Sequence, residues 1–355
     1  MKIGILTFHW ATNYGAVLQC YALQEYLREC GYDVDVINYK PRQYDDNFLT
    51  FLRFRKFLNW AEYLNERNME HALRMFRHTH LHLSERVYRC KDMAKIANRY
   101  DIIISGSDQV GNPSFLLSGE GYGALSPTYF LGFPFNGKRL GYALSFGCVT
   151  YPESARIIAS KYIKNFDFIS VRENSGLEII KSMGREDAVL VPDPTLLQRA
   201  QFYHTIADEC KNSDSDSFIF SFFIRHISDR KSIINKIFDG KLLIWNNEDD
   251  NYTMEWWLSK IRSSDFVITD SFHCVVMCLK FHKAFAVVTE HNGNIGMNDR
   301  LYTLLDNVRL SNHIIYKEHL DGLYAIYQRT IDWPRIDGLL EGGNNNVLMF
   351  LDNLR

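Results

Sequence analysis

Asp270, Ser271 and His273 place a carboxylate, a hydroxyl and an imidazole within one short turn. The run before them, Phe266-Val-Ile-Thr269, is short, apolar and β-branched, and a helix-like run begins at once behind it. His273 falls in the first turn of that helix. A helix start presents free backbone N–H groups and favours an anion. The turn therefore suits a small anionic substrate that needs a proton.

Other strand ends carry related groups. Ser105-Gly-Ser-Asp108-Gln109 follows Ile104, and Gly106 lets the backbone approach a ligand closely. Phe146-Gly147 follows Ser145, and Arg172-Glu173-Asn174 follows Val171. One such turn is common, but several at carboxyl strand ends would converge on one cleft. Arg172 has two uses open: it can pair with Glu173 or a neighbouring helix, or its planar fork can clamp a carboxylate or phosphate. His273 can likewise be a helix-capping imidazole or a functional one.

No metal is expected. His78, His80 and His82 alternate and would share a face if extended. Cys274, Cys278 and His282 stand at i, i+4 and i+8. Neither set has a fourth ligand or a standard zinc spacing. GxxxxGK[ST] and GxGxxG are both absent, which argues against a P-loop nucleotidase and a nicotinamide enzyme.

The elements that must hold these groups alternate between strand and helix signals. Lys2–Phe8, Asp33–Asn38, Asp101–Ser105, Arg139–Ser145, Phe166–Val171 and Ala188–Val191 read as strands. Tyr14–Cys30 and Ser175–Met183 read as helices closed by Gly31 and Gly184. The first strand, helix and strand form a βαβ unit, and its loop His9–Asn13 lies where open α/β sheets bind ligands. Val191-Pro-Asp-Pro194 is a natural break, because its prolines disfavour regular structure on either side. The cycle then restarts with strands Phe218–Ile224, Leu242–Trp245, Phe266–Thr269 and Phe285–Val288. Helices Asp229–Phe238, Met254–Arg262, Phe272–Phe281 and one beginning Arg300–Leu305 follow them. Two doubly wound, Rossmann-like α/β domains facing a cleft is the expected architecture, with domains at 1–195 and 196–355. The last helix is expected to pack back on the N-terminal domain.

Residues 48–98 differ in character. Phe51, Phe54, Phe57, Leu58, Ala61 and Leu64 recur at helical spacing with Arg53, Arg55 and Lys56 between them, as in a helical insertion. Such a helix packs on its domain, or docks a basic, aromatic face on an anionic membrane surface.

Composition sets the outer limits. The 355 residues are 46% hydrophobic and 23% charged, as in a soluble globular protein. A net charge of -2 gives no case for a nucleic-acid partner. No segment approaches the roughly 18 consecutive apolar residues of a membrane span. The apolar start Met1–Phe8 is followed by His9, Asn13 and Gln19 and by no clean small-residue cleavage site, which fits a buried strand better than a signal peptide. Seven cysteines without regular spacing suggest reduced thiols and a cytoplasmic location.

An ordered set of short motifs resembles the polysaccharide pyruvyl transferase family over most of the chain. It runs Gly4-Ile-Leu-Thr-Phe, Asn13-Tyr-Gly-Ala-Val-Leu-Gln19, Ser105-Gly-Ser-Asp-Gln-Val110 and Ala143-Leu-Ser-Phe-Gly147. It continues with Ser170-Val-Arg-Glu173, Val191-Pro-Asp-Pro-Thr-Leu196, Thr269-Asp-Ser-Phe-His273, Lys283 and Asn298-Asp-Arg300. The resemblance implies a glycosyltransferase-B-like pair of domains and phosphoenolpyruvate as co-substrate, without a further cofactor. It implies transfer of the pyruvyl group to two hydroxyls of one sugar as a cyclic ketal, with release of phosphate. The acceptor it implies is a lipid-linked intermediate of a surface polysaccharide, met at the inner face of the membrane.

That chemistry needs a general acid to protonate the donor's methylene carbon, and His273 fits. Arg172, Ser271, Lys283, Arg300 and the helix starting near Phe272 are candidates to hold the donor's carboxylate and phosphate. Arg300 can equally be a structural ion pair. Asp108 or Asp270 is the candidate base, and Asn13, Tyr14, Ser107, Asp108 and Gln109 are candidates on the acceptor side. Two residues depart from the family pattern. Cys274 replaces a common glycine and is expected to narrow the donor pocket. Gly111 stands where a tryptophan is frequent, which is expected to enlarge or reshape the acceptor side. The competing readings are a sugar-nucleotide glycosyltransferase of the same architecture and a non-catalytic saccharide-binding protein.

Overall fold

The computed structural model describes residues 1–45, 60–210, 216–225, 228–246, 251–290, 295–342 and 345–355. The chain divides into two compact units, Met1–Leu197 with Gly343–Arg355, and Gln198–Gly342. Each is built on one all-parallel sheet.

The first sheet holds β1 (Lys2–Leu6), β2 (Asp33–Val36), β3 (Ile102–Ser105), β4 (Lys138–Leu144), β5 (Phe168–Val171) and β6 (Val189–Leu190), in the order β2-β1-β3-β4-β5-β6. Parallel strands need long crossovers, and these cover both faces of the sheet with helices. The alternation of side chains along β3 shows it. Ile102 and Ile104 pack with Cys20, Leu23 and Leu27 of the helix Tyr14–Glu29. Ile103 packs on the other face with Ala155, Ala159 and Ile163 of the helix Glu153–Ile163. Asn13 caps Tyr14–Glu29 by accepting from the Ala16 N–H, and Gly31 at φ +91 ends the turn behind it. The last helix, Asn345–Asn353, belongs to this unit. Its Phe350 and the following Leu354 are buried in the core, with Phe350 against Tyr142 at 4.5 Å.

The second sheet holds β7 (Phe218–Phe222), β8 (Leu242–Trp245), β9 (Phe266–Thr269), β10 (Ala284–Thr289) and β11 (Ile314–Tyr316), in the order β11-β10-β9-β7-β8. Ile219, Phe266, Ile268, Ala286 and Val288 face the helices Ser228–Ile237 and Leu323–Tyr327. On the other face Phe220 meets Trp256 of the helix Met254–Ser263 edge-on at 5.9 Å. β7, β9 and β10 are adjacent, so the loops leaving them emerge side by side.

The structure revises several expectations. Phe51, Phe54, Phe57 and Leu58, with Arg53, Arg55 and Lys56, lie outside the described residues. The helix that follows is Trp60–His80. Residues 81–99 are not helical throughout: they bridge β2 at Leu83 and form short 3-10 turns at Cys90–Lys95 and Ala97–Arg99. His78 and His80 are helical, so the three histidines do not line one extended face. A helix, Pro194–Leu197, begins inside the proline-flanked break, because proline is tolerated in a first helical turn. The helix expected from Arg300 already begins at Ile295 and runs to Asn307. No helix among the described residues is long and apolar enough to cross a membrane.

Candidate functional site

At the carboxyl edge of the second sheet, the strand β9 passes directly into the helix Phe272–Lys280. Ser271 is its N-cap, and its hydroxyl oxygen accepts from the Cys274 N–H at 3.4 Å while its own N–H donates to Thr269 Oγ1. Ser271 is buried, and its side chain thus orders the helix start. His273, 5% exposed, lies in the first turn with the Phe272 ring edge-on at 5.1 Å. The Arg300 guanidinium stands over the other residue of that pair, 5.5 Å from the Phe272 centroid.

Asp270 holds the neighbouring loop. Its Oδ1 accepts from the Ile224 N–H at 2.7 Å and its Oδ2 from the Arg225 N–H at 3.1 Å. Burial pushes its carboxyl pKa up, and these two N–H groups with the Arg225 charge oppose that shift. Both oxygens are engaged by backbone, so the structure gives Asp270 an anchoring position rather than that of an open base. What it anchors is Arg225, a residue absent from the sequence-derived candidates. The Arg225 guanidinium donates to Asn298 Oδ1 at 3.1 Å, its only bond among the described residues. Asn298 is 1% exposed, and its Nδ2 has no hydrogen-bond partner among the described residues. Arg225 follows an apolar strand with no Gly/Ser/Asp turn, which is why strand-end composition did not single it out. Its position at a carboxyl strand end was the available signal.

Lys283 is not part of this group. It follows the far end of the nine-residue helix and immediately precedes β10. At 1.5 Å per residue that helix carries the chain about 13 Å from the His273 turn. Burial lowers the Lys283 pKa, and the neighbours that act on its charge are Asp265 and Arg262, which precede β9 at the opposite edge, and Cys278 near the end of the helix. The expectation that Lys283 binds the same ligand as His273 is therefore corrected. Cys274 does not narrow this edge either, since it is fully buried, as is Cys278 one turn on. His282 leaves the helix, hydrogen-bonds Asp337 at 3.0 Å and stacks on Trp333, away from the two thiols it was grouped with.

The first unit builds a different edge. Gly106 has φ +110, and a Cβ there would sit 2.2 Å from Tyr142 O, so only glycine lets the chain turn after β3. The turn delivers Ser107 and Asp108. Ser107 is fully buried, donates to Ala143 O and Asp193 Oδ2, and accepts from Arg172 Nη1 at 3.3 Å. Its side chain serves the interior, contrary to an acceptor-binding role. Arg172, with a side chain 1% exposed, donates to Asp193 Oδ2 at 2.6 Å and to Asp108 Oδ1 at 3.4 Å, with Glu173 Oε2 3.6 Å from Nε. Of its two open uses the structure displays internal pairing: three carboxylates surround the guanidinium. Burial pulls its pKa down, but those carboxylates outweigh it and raise the value. Asp193, between the two prolines, also accepts from the Thr195 N–H and hydroxyl through Oδ1. It was missed in the sequence because nothing local marks a partner 21 residues away.

Asp108 is the accessible member of this cluster, with a side chain 14% exposed. Its backbone is left-handed at φ 72, and Oδ1 also accepts from the Gln109 N–H. The Gln109 amide is half-buried beside Gly147. Asn13 uses its side-chain oxygen as the helix cap, and Tyr14, 4% exposed, is packed inside. These two are structural in this arrangement. Gly111 does not enlarge a pocket, because Phe146 occupies the space: a Cβ at Gly111 would lie 2.7 Å from its ring.

The polysaccharide pyruvyl transferase family model matches residues 13–292. No curated protein matches the chain. Among solved structures, a functionally uncharacterised protein from Klebsiella pneumoniae is similar at 15% identity, with 85% of this chain and 96% of that chain covered and a TM-score of 0.40. A UDP-GlcNAc 2-epimerase from Methanocaldococcus jannaschii is similar at 9% identity, with coverage of 97% and 93% and a TM-score of 0.43. A heptosyltransferase from E. coli with ADP is similar at 14% identity, with coverage of 82% and 88% and a TM-score of 0.37. Likeness at this level carries no information on substrate.

Proposed function

Since this chain belongs to the polysaccharide pyruvyl transferase family, we propose that it moves the pyruvyl group of phosphoenolpyruvate onto two hydroxyls of one sugar. The product is a cyclic ketal, and the acceptor is a lipid-linked saccharide of a surface polysaccharide. The observation that carries this reading is the first turn of Phe272–Lys280, where the His273 imidazole sits at a helix N-terminus and the Arg300 guanidinium lies over the adjacent Phe272 ring. An anionic enol ether is matched there on both counts, charge and proton.

In this reading His273 gives a proton to the methylene carbon of the donor, and the adjacent carbon becomes electrophilic. One sugar hydroxyl adds to that carbon and loses its proton. The second hydroxyl then forms the other C–O bond as the C–O bond to phosphate breaks. One hydroxyl proton replaces the proton delivered by His273, and the other leaves with phosphate or solvent. Asp108 is the proposed base, and Arg172 positions it through the 3.4 Å contact. Arg300 and the N-terminal end of the helix Phe272–Lys280 are proposed donor ligands.

The test is incubation of the full chain with phosphoenolpyruvate and lipid-linked saccharides, read by phosphate release and by mass. Phosphate release with a pyruvate-sized mass gain on the saccharide is expected. Turnover that requires a nucleotide sugar instead, or saccharide binding without turnover across a broad acceptor panel, would overturn the reading.

A further inference from the structure

We propose that Arg225 is the ligand of the donor's phosphate group, held ready by Asn298; this rests on the assignment of phosphoenolpyruvate as donor. Three observations combine. Arg225 is carried at the carboxyl end of β7, in a loop fixed by both oxygens of Asp270, the residue two before the helix Phe272–Lys280. Its guanidinium has one bond among the described residues, to the neutral Asn298 amide, and none of its N–H groups meets a carboxylate among them. Asn298 itself is buried, and among the described residues its Nδ2 has no hydrogen-bond partner while its Oδ1 accepts from Arg225, a costly arrangement for an amide.

A guanidinium bonded to a carboxylate is oriented but electrostatically satisfied. One bonded to a neutral amide is oriented and keeps its full charge for a ligand. Arg225 is of the second kind in its hydrogen bond, although the Asp270 carboxylate feels its charge, and it shares this edge with the helix N-terminus and, through Asn298 on the helix Ile295–Asn307, with Arg300. Phosphate is the fitting group for such a site. Its oxygens gain charge as the bond to carbon breaks, and a fork donor strengthens its hold as they do.

Calorimetric titration of the full chain with phosphoenolpyruvate, inorganic phosphate and pyruvate tests this. Arg225→Met is expected to weaken phosphoenolpyruvate and phosphate binding by about 10- to 100-fold, the range for a lost charged hydrogen bond. Pyruvate binding and the melting temperature should be unchanged. Asn298→Asp keeps the guanidinium but supplies a competing carboxylate, and should weaken phosphate by about tenfold or more. Wild-type phosphate affinity in folded Arg225→Met would overturn the assignment while leaving the donor's identity standing. Selective loss of pyruvate binding would also overturn it, moving Arg225 to the carboxylate. A wild-type chain that binds neither phosphoenolpyruvate nor phosphate would overturn the donor assignment and this proposal together.

Discussion

At the carboxyl edge of the first sheet, one guanidinium is enclosed by Asp108, Glu173 and Asp193, whereas at that of the second, Arg225 bonds a neutral amide and Arg300 lies on an aromatic ring. The two edges come from the same strand-turn-helix construction. Their charge balance is opposite. Three carboxylates against one cation leave the first cluster net negative, and Arg172 would have to give up an ion pair to take an anion. The second edge sets Arg225 and a helix start beside one carboxylate, Asp270, whose two oxygens are taken by backbone N–H groups. An arginine after a parallel strand is therefore not a ligand by position alone; its partner decides. A carboxylate partner makes it part of the frame, and a neutral partner leaves its charge available.

Substitutions can break or sharpen this contrast. His273→Gln should lower kcat by about 10²- to 10⁴-fold, the usual contribution of a positioned acid, with an unchanged melting curve. Near-normal turnover would remove His273 from the chemistry. Asp193→Ala should act on stability rather than on donor affinity, costing about 3–5 kcal/mol in urea unfolding because Arg172 loses its closest counter-ion in a buried site. Arg225→Met provides the contrast within the same assay, with a shift inside about 0.5 kcal/mol expected for a half-buried residue with no ion pair among the described residues. Equal losses in the two variants would erase the distinction between the edges. Asp108→Asn should reduce kcat by about 100-fold with the Michaelis constant for phosphoenolpyruvate held, as expected of a base acting on the acceptor.

Smaller effects separate the units further. His9 follows β1, with Nδ1 3.2 Å from Thr7 O and Nε2 3.2 Å from Asn38 Oδ1. Burial lowers its pKa to about 4 from 6.5. The unfolded chain thus binds a proton that folded His9 refuses across that window, so stability rises with pH there and is lost as pH falls from 6.5 toward 4. Urea midpoints at about pH 7 and about pH 5 should show this acid loss in the wild type and a smaller one in His9→Gln. Lys283→Gln should change turnover least, by less than about twofold, because its edge of the sheet is remote from His273. A large drop would restore it to the donor site.

The strands were the most legible part of the chain. Phe266–Thr269 was marked at both ends, because a short buried run between turn residues has few other ways to satisfy its backbone. The His273 turn was legible for the same reason. Partners were harder to see. Nothing local to Arg172 distinguishes Asp193 from other acids, since their contact is made by two parallel strands ending together. Lys283 is a different case. The expected helix was already long enough to place it past the far end, and motif order outweighed that length. Arg225 shows the converse, a residue whose importance lies in what does not pair with it.

The last helix has a consequence for how the protein is made. Phe350 and Leu354 complete the core of the first unit, although more than 140 residues of the second unit are synthesised before them. During synthesis the first unit therefore emerges lacking part of its interior, with Tyr142 and Phe168 waiting for their cover. The second unit, continuous in sequence, can finish folding earlier. A nascent chain halted before this helix would present a folded second unit beside a sticky, unfinished first one, the form on which a chaperone or protease acts.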